Sequence, residues 1–291
     1  MSSATRISAF AAGLVAVGAA AAAVGSATGA NPPVTRKADA SHGSGMRAMG
    51  RMAPVVAGAD GTALSAGSLT LQPRGVRIHA GRPAVWRFQI VDRHGVAVQR
   101  FERDQTKLLH LIVARDDMSG YQHLHPQLQG DGTFSVRMTL ARPGRYRAIA
   151  DFTTGHRRYV LGTTLVAPGA STAAALPAPS TTAIADGYRV SLTRPARLVA
   201  GKESPLTFRV TRGGRAVTGL QPYLGASGHL VALHAPDLAY SHVHPTGQDL
   251  AHGSITFDAE LHKAGSYRLF VQFRTGGAVH TAAFTQVVTS R

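Results

Sequence analysis

Phe134-Ser135-Val136-Arg137-Met138-Thr139-Leu140 sets apolar and polar side chains in alternation, and Ile255-Thr256-Phe257-Asp258-Ala259-Glu260-Leu261 does the same near the other end of the chain. Successive side chains of an extended chain point to opposite faces, so period two marks a strand with one face in a core and the other in water. Working outward, Trp86, Phe88 and Ile90 alternate with Arg87 and Gln89, and Tyr146, Ala148, Ala150 and Phe152 form a further set. Asp131-Gly132, Pro143-Gly144, Gly213-Gly214 and Gly276-Gly277 supply the turns between such strands. Amphipathic helical periodicity is weak throughout. The expected fold is therefore all-β, and roughly seven short strands in about 100 residues predict an immunoglobulin-like sandwich.

The pattern occurs twice. Gly81 matches Gly201, Phe88 matches Phe208, Gly144-Arg145-Tyr146 matches Gly265-Ser266-Tyr267, and Phe152 matches Phe273, at an offset of about 120 residues. Two tandem sandwiches are expected over 59–166 and 184–291. The Ala/Pro/Ser/Thr-rich stretch 167–183 reads as a linker, and 31–58, which lacks strand periodicity, reads as disordered.

Composition narrows what these domains do. Hydrophobic residues make up 44% and charged residues 16%, a globular balance and not that of a disordered chain. The net charge of +16 comes mostly from arginines, which are scattered singly (Arg87, Arg137, Arg147, Arg209) with no dense run to track phosphates. Nucleic acid is not an expected partner; an anionic cell-wall or membrane surface is. Cysteine is absent, which excludes disulfides, thiolate metal ligands, cysteine nucleophiles and a lipobox. At 1–30, Arg6 precedes an Ala-rich apolar run and small residues ending Ala-Thr-Gly-Ala, the pattern of a secretory signal peptide, with an uncleaved N-terminal anchor as the alternative. The expected location is secreted or in the extracytoplasmic envelope.

The chemistry is concentrated in His110-Leu111-Ile112-Val113 followed by Tyr121-Gln122-His123-Leu124-His125-Pro126, matched by His229-Leu230-Val231-Ala232 followed by Tyr240-Ser241-His242-Val243-His244-Pro245. In both copies the second histidine lies 13 residues after the first and the third 15 after it. Across 110–126 and 229–245 only six positions are identical: the three histidines, one Leu, one Tyr and the Pro. The copies have drifted elsewhere, so something held the imidazoles. On a strand His123 and His125 project together, and His110 opens an adjacent strand within reach of them. Three converging imidazoles suit Cu(II), Zn(II) or Ni(II). The competing reading is a set of structural histidines bonded to backbone carbonyls around the turn at Pro126 and Pro245. His94, His156, His234 and His280 each occur in one copy only and read as surface or edge residues. Asp151 is matched by Gln272, so a carboxylate ligand there would belong to one copy alone.

A second signal is Met46-Arg47-Ala48-Met49-Gly50-Arg51-Met52, with His42 just upstream. Thioethers are soft ligands that favour Cu(I) where no thiolate is available, so His42, Met46, Met49 and Met52 form a secondary metal candidate and tilt the expectation from zinc to copper. The competing reading is an ordinary linker.

At these residues the chain resembles uncharacterised exported proteins of high-GC bacteria with tandem HLIV…HLHP and GHLVAL…HVHP repeats, and more distantly YtkA-like and CopC-like β-sandwich domains. The resemblance covers about 65–290 and implies an envelope protein of immunoglobulin-like (cupredoxin- or CopC-like) fold that handles copper. CopC-like proteins use a histidine at the mature N-terminus, whereas cleavage after Ala30 here leaves Asn31. Their site is not carried over, and only His110, His123, His125, His229, His242 and His244 are put forward. No Gly-x-Ser-x-Gly or HExxH motif and no general base beside the triad is found, so the expected protein is not an enzyme. The expectation is a metal-binding protein with one three-histidine site per repeat; the alternative is an interaction module that binds wall polymer or a partner protein.

Overall fold

The computed structural model describes residues 53–194 and 197–290, and leaves the side chains of Arg194, His242 and His244 outside that description. The expected signal peptide and the candidates His42, Met46, Met49 and Met52 lie outside the described residues.

Repeat one contains β1 (Ser65–Ala66), β2 (Leu69–Pro73), β3 (Pro83–Asp92), β4 (Leu109–Arg115), β5 (Gln122–Leu124), β6 (Gln127–Leu128), β7 (Thr133–Thr139), β8 (Gly144–Thr154) and β9 (Arg157–Ala167). They form an outer sheet in the order β1-β2-β3-β7-β6 and an inner sheet in the order β5-β4-β8-β9. Repeat two contains β10 (Thr182–Ala185), β11 (Tyr188–Arg194), β12 (Leu198–Val199), β13 (Glu203–Arg212), β14 (Arg215–Ala216), β15 (Gly228–His234), β16 (Tyr240–Asp249), β17 (Ser254–Glu260), β18 (Gly265–Thr275) and β19 (Ala278–Thr289). Their order is β10-β11-β13-β17-β16-β15-β18-β19-β12, with β14 paired to β13 off this path. The path is continuous because β16 pairs first with β15 and then with β17, its register slipping between Pro245 and Gly247. In repeat one the equivalent stretch is interrupted at His125-Pro126, giving β5 to the inner sheet and β6 to the outer. A proline has no N–H to give a ladder, so it suits the point where a strand changes sheets.

Both repeats are immunoglobulin-like sandwiches, as the period-two pattern predicted. Each also carries the tyrosine corner of that fold. Tyr146 Oη donates to the Arg142 carbonyl at 2.8 Å, and Tyr267 Oη accepts from the Lys263 N–H at 3.2 Å.

The central inner strands β4 and β15 are buried along their entire length. That requires cover on both faces. Leu109, Leu111 and Val113 face their own sandwich, while the residues between them face the other repeat. Repeat two answers with Val231, Leu233, Leu238, Tyr240 and Phe270, which join the core of repeat one as one apolar cluster. Tyr121 stacks on Phe270 with ring centroids 3.9 Å apart and planes at 7°. The inner sheets thus pack face to face across an apolar interface, each large side chain contributing about 1.5–3 kcal/mol by leaving water.

Two segments differ from expectation. Residues 54–63, partly inside the stretch expected to be disordered, run along β9: Val56 N–H donates to the Arg158 carbonyl at 2.9 Å, Gly61 N–H to Val160 at 3.1 Å, and Gly162 N–H to Ala63 at 2.7 Å. The approach is close enough that a Cβ added at Gly162 would run into the Gly61 carbonyl oxygen. The strap pairs an edge that would otherwise lie open. The linker is also fixed in place. Arg115, 4% exposed, donates through Nε to the Pro143 carbonyl at 3.0 Å and through Nη2 to the Thr172 carbonyl at 3.1 Å, and Asp117 accepts from the Ala174 N–H at 2.8 Å.

Candidate metal centre

The histidine spacing becomes intelligible in the strand register. Ile112 pairs with His123 across the antiparallel β4–β5 ladder, so position 110 stands opposite position 125. Directly opposed and diagonal residues of such a ladder share one face. Spacings of 13 and 15 therefore set the third histidine across from the first and the second diagonal to it. The backbone of repeat two keeps the same register, with Val231 paired to His242. The shared face is the one that packs on the other repeat.

The described rings converge. His110 lies 5.2 Å from His123 and 5.1 Å from His125 between centroids, and His123 lies 4.8 Å from His125. The rings of the first repeat's three histidines thus lie close together. His229 of repeat two joins them, 4.6 Å from His123 and 5.5 Å from His110. One ring nitrogen from each of His110, His123 and His229 lies within 4.8 Å of the others. Sequence reasoning gave each repeat a centre of its own; the structure instead puts His229 beside the first repeat's rings, because the two inner sheets present their histidine-bearing faces to each other. The side chains of His242 and His244 lie outside the description.

Burial away from solvent, with neighbouring groups, keeps these rings neutral. Burial lowers the pKa of His110 from its ordinary 6.5 and takes His123 well below it, where His110 and His125 add to the effect. Burial, then His110 and Lys107, brings His125 to about 3. A neutral imidazole carries one N–H and one lone pair. His123 Nδ1 sits 2.7 Å from Gln272 Oε1, and Gln272 turns its amide nitrogen to Thr281 Oγ1 at 3.1 Å. His110 Nε2 sits 3.1 Å from the Asp104 carbonyl oxygen, which can only accept. Each ring thus has an outward oxygen acceptor. The inward atoms, His110 Nδ1 and His123 Nε2, stand 2.9 Å apart, and which of them carries a proton is set by the ring tautomers. His125 Nε2 is buried with no hydrogen-bond partner among the described residues.

Behind His110 lies a charged network that the sequence reading missed. His110 pairs with Asp151 on β8. Asp151 accepts from Arg158 Nε at 2.7 Å, from Arg158 Nη2, and from Tyr240 Oη of repeat two at 2.8 Å. Burial works against the charge of Arg158, but the adjacent Asp151 carboxylate raises its pKa above the usual arginine range. Burial also raises Asp104 above the usual carboxylate range. The one sequence signal for this network was the mismatch of Asp151 with Gln272. It now has a structural meaning: at matched positions, repeat one holds an arginine-paired acid and repeat two an amide that orients His123.

The single-copy histidines divide. His94 is exposed, and His156, 95% exposed at its side chain, pairs with Glu102. His234 and His280 are buried, contrary to the surface reading. His234 Nδ1 meets Asp237 at 2.7 Å and its Nε2 the Ala264 carbonyl at 3.1 Å, while His280 Nδ1 meets Asp186 at 2.8 Å.

No curated protein matches the chain. Among solved structures, the Escherichia coli adhesin FdeC is 17% identical over 78% of this chain and 66% of its own, with a TM-score of 0.26. The fibronectin(III)-like modules of Clostridium thermocellum CbhA are 11% identical over 76% and 95%, with a TM-score of 0.22. The Lin-41 filamin domain is 12% identical over 34% and 90%, with a TM-score of 0.25. The family described as "Domain of unknown function (DUF8832)" matches residues 65–169 and again 181–290, one match on each sandwich. The chain belongs to that family.

Proposed function

We propose that this tandem β-sandwich protein is a non-enzymatic binder of a transition metal ion, copper first and zinc second, held by the buried histidine cluster of an extracytoplasmic protein. The observation that carries the reading is the pair of inward nitrogens on His110 and His123, 2.9 Å apart, whose outward partners on the same rings already face oxygen acceptors. If both rings give their N–H outward, the inward lone pairs face each other, and a cation between them relieves that repulsion. Ligating histidines ordinarily give their other N–H to a carbonyl or carboxylate, the role open here to the Asp104 carbonyl and the Gln272 amide oxygen. The separation also suits the purpose: metal–nitrogen bonds of about 2.0 Å place neighbouring nitrogens about 2.8 Å apart at a square-planar corner and about 3.3 Å apart in a tetrahedron. His125 Nε2, buried with no hydrogen-bond partner among the described residues, offers a further donor. A bound ion would supply Lewis acidity or a one-electron couple. The chain's own contribution is a neutral, oriented, water-poor donor set.

A second reading has its own support. Turning the Gln272 amide over lets Thr281 donate to Oε1, Nε2 donate to His123 Nδ1, and His123 Nε2–H donate to His110 Nδ1, a closed metal-free chain of the same 2.9 Å length. The histidines would then serve to fix the interface between sandwiches, as an interaction module requires.

The experiment titrates purified protein with Cu(II) and Zn(II) against a weak competing chelator. The metal reading predicts tight binding that His123→Leu abolishes and Gln272→Glu preserves, because a carboxylate still accepts from His123 Nδ1. Failure of the wild-type protein to hold either ion overturns it.

A further inference from the structure

We infer that the two repeats hold one ion in common, with His229 of repeat two completing a site begun by His110 and His123 of repeat one. The inference rests on the metal reading above and replaces one ion per repeat with one per chain.

The internal duplication by itself predicts two equivalent, independent sites. Three observations argue against independence. First, the histidine faces of β4 and β15 are directed at each other. His110 and His229, their matched residues, are 2% and 1% exposed and stack with centroids 5.5 Å apart and planes at 22°. Second, a ring nitrogen of His229 falls within 4.8 Å of nitrogens on both His110 and His123, so one small inward movement closes three donors on a single point. An ion with bonds of about 2.0 Å draws its ligand nitrogens to within about 4 Å of one another. Third, orientation of the first repeat's ligand comes from the second repeat: Gln272, which pairs with His229 on β18, is the group that faces His123 Nδ1. On this inference, duplication has produced two similar halves of one shared site.

Such an ion joins the two sandwiches through side chains, in addition to the apolar interface. Gln272 is then a positioning residue that acts across the repeat boundary. Removal of either repeat's histidine removes the same ion.

The test is the stoichiometry of Cu(II) binding to the full chain by isothermal titration, in wild type, His110→Gln and His229→Gln. Far-UV circular dichroism with thermal melting in chelator serves as the check on folding. The inference predicts one equivalent in wild type and at least a hundredfold weaker binding in both variants. If His229→Gln fails to fold, Gln272→Leu stands in for repeat two and is expected to weaken the same single equivalent. In that protein the nitrogen hyperfine pattern of bound Cu(II) also changes. Two equivalents in wild type, however they divide among the variants, overturn the shared ion and leave the metal reading standing. Zero equivalents overturn both.

Discussion

Replacing Arg158 by methionine tests whether the interface behind the histidines is organised around a buried charge pair. Asp151 is 2% exposed and Arg158 1%, and the guanidinium meets both carboxylate oxygens. Removing one member of such a pair strands the other in a low-dielectric interior, at a cost of about 3–5 kcal/mol. The Tyr240 hydroxyl, 2.8 Å from Asp151 Oδ2, remains as one donor and holds the cost toward the lower end. For a chain of this size each kcal/mol shifts the melting temperature by about 2–4 °C, so Arg158→Met should melt about 6–15 °C below wild type. Two controls fix the interpretation. Arg137→Met, on the exposed face of β7, should change stability by less than about 0.5 kcal/mol. The double change Asp151→Leu with Arg158→Met should recover part of the loss, because it leaves no unpaired charge while it removes the acceptor of the Tyr240 hydroxyl. Thermal melts in chelator decide the matter. If Arg158→Met melts within 2 °C of Arg137→Met, the pair is not buried as described.

The histidine cluster sets the acid side of stability. His110, His123 and His125 have folded pKa values below 6.5, His125 at about 3. Between those values and 6.5 the unfolded chain binds more protons than the folded one, so their stabilisation is complete above about pH 6.5 and declines as pH falls. Asp237, lowered to about 2 by Lys263 and His234 against the effect of burial, contributes its loss only at lower pH. The urea midpoint of metal-free protein should therefore fall between pH 7 and 5, and fall less in His123→Leu. A midpoint constant over that range contradicts the assignment of neutral buried rings. Gly162→Ala should force the 54–63 strap off β9, lowering stability by about 1–3 kcal/mol and exposing the strap to protease; unchanged proteolysis would show that the close approach to Gly61 does not exist.

Much of the architecture could be read from local periodicity. Strands such as Thr133–Thr139 and Ser254–Glu260 have one wet face, and alternation exposes them. β4 and β15 have no wet face, and their near-continuous apolar runs did not say what covered the second one. For β4 the answer lies in Phe270, Val231 and Leu233, residues more than a hundred positions away in sequence. The same limit governs the site. Spacings of 13 and 15 encode a ladder register, which is local, so the convergence of His110, His123 and His125 was legible. The arrival of His229 and the orienting role of Gln272 depend on how the sandwiches pack, which no spacing within one repeat records. The 54–63 strap was missed because its pairing with β9 is carried by backbone groups, and Val56 is its only fully buried large apolar anchor.

The most direct test of the central claim is an anomalous-scattering difference map at the copper edge, measured on crystals of the protein grown with one equivalent of Cu(II). The account predicts a single peak between His110 Nδ1 and His123 Nε2, within bonding distance of a His229 nitrogen. A map with no peak at that position, while the rings stay hydrogen-bonded at 2.9 Å, would contradict it.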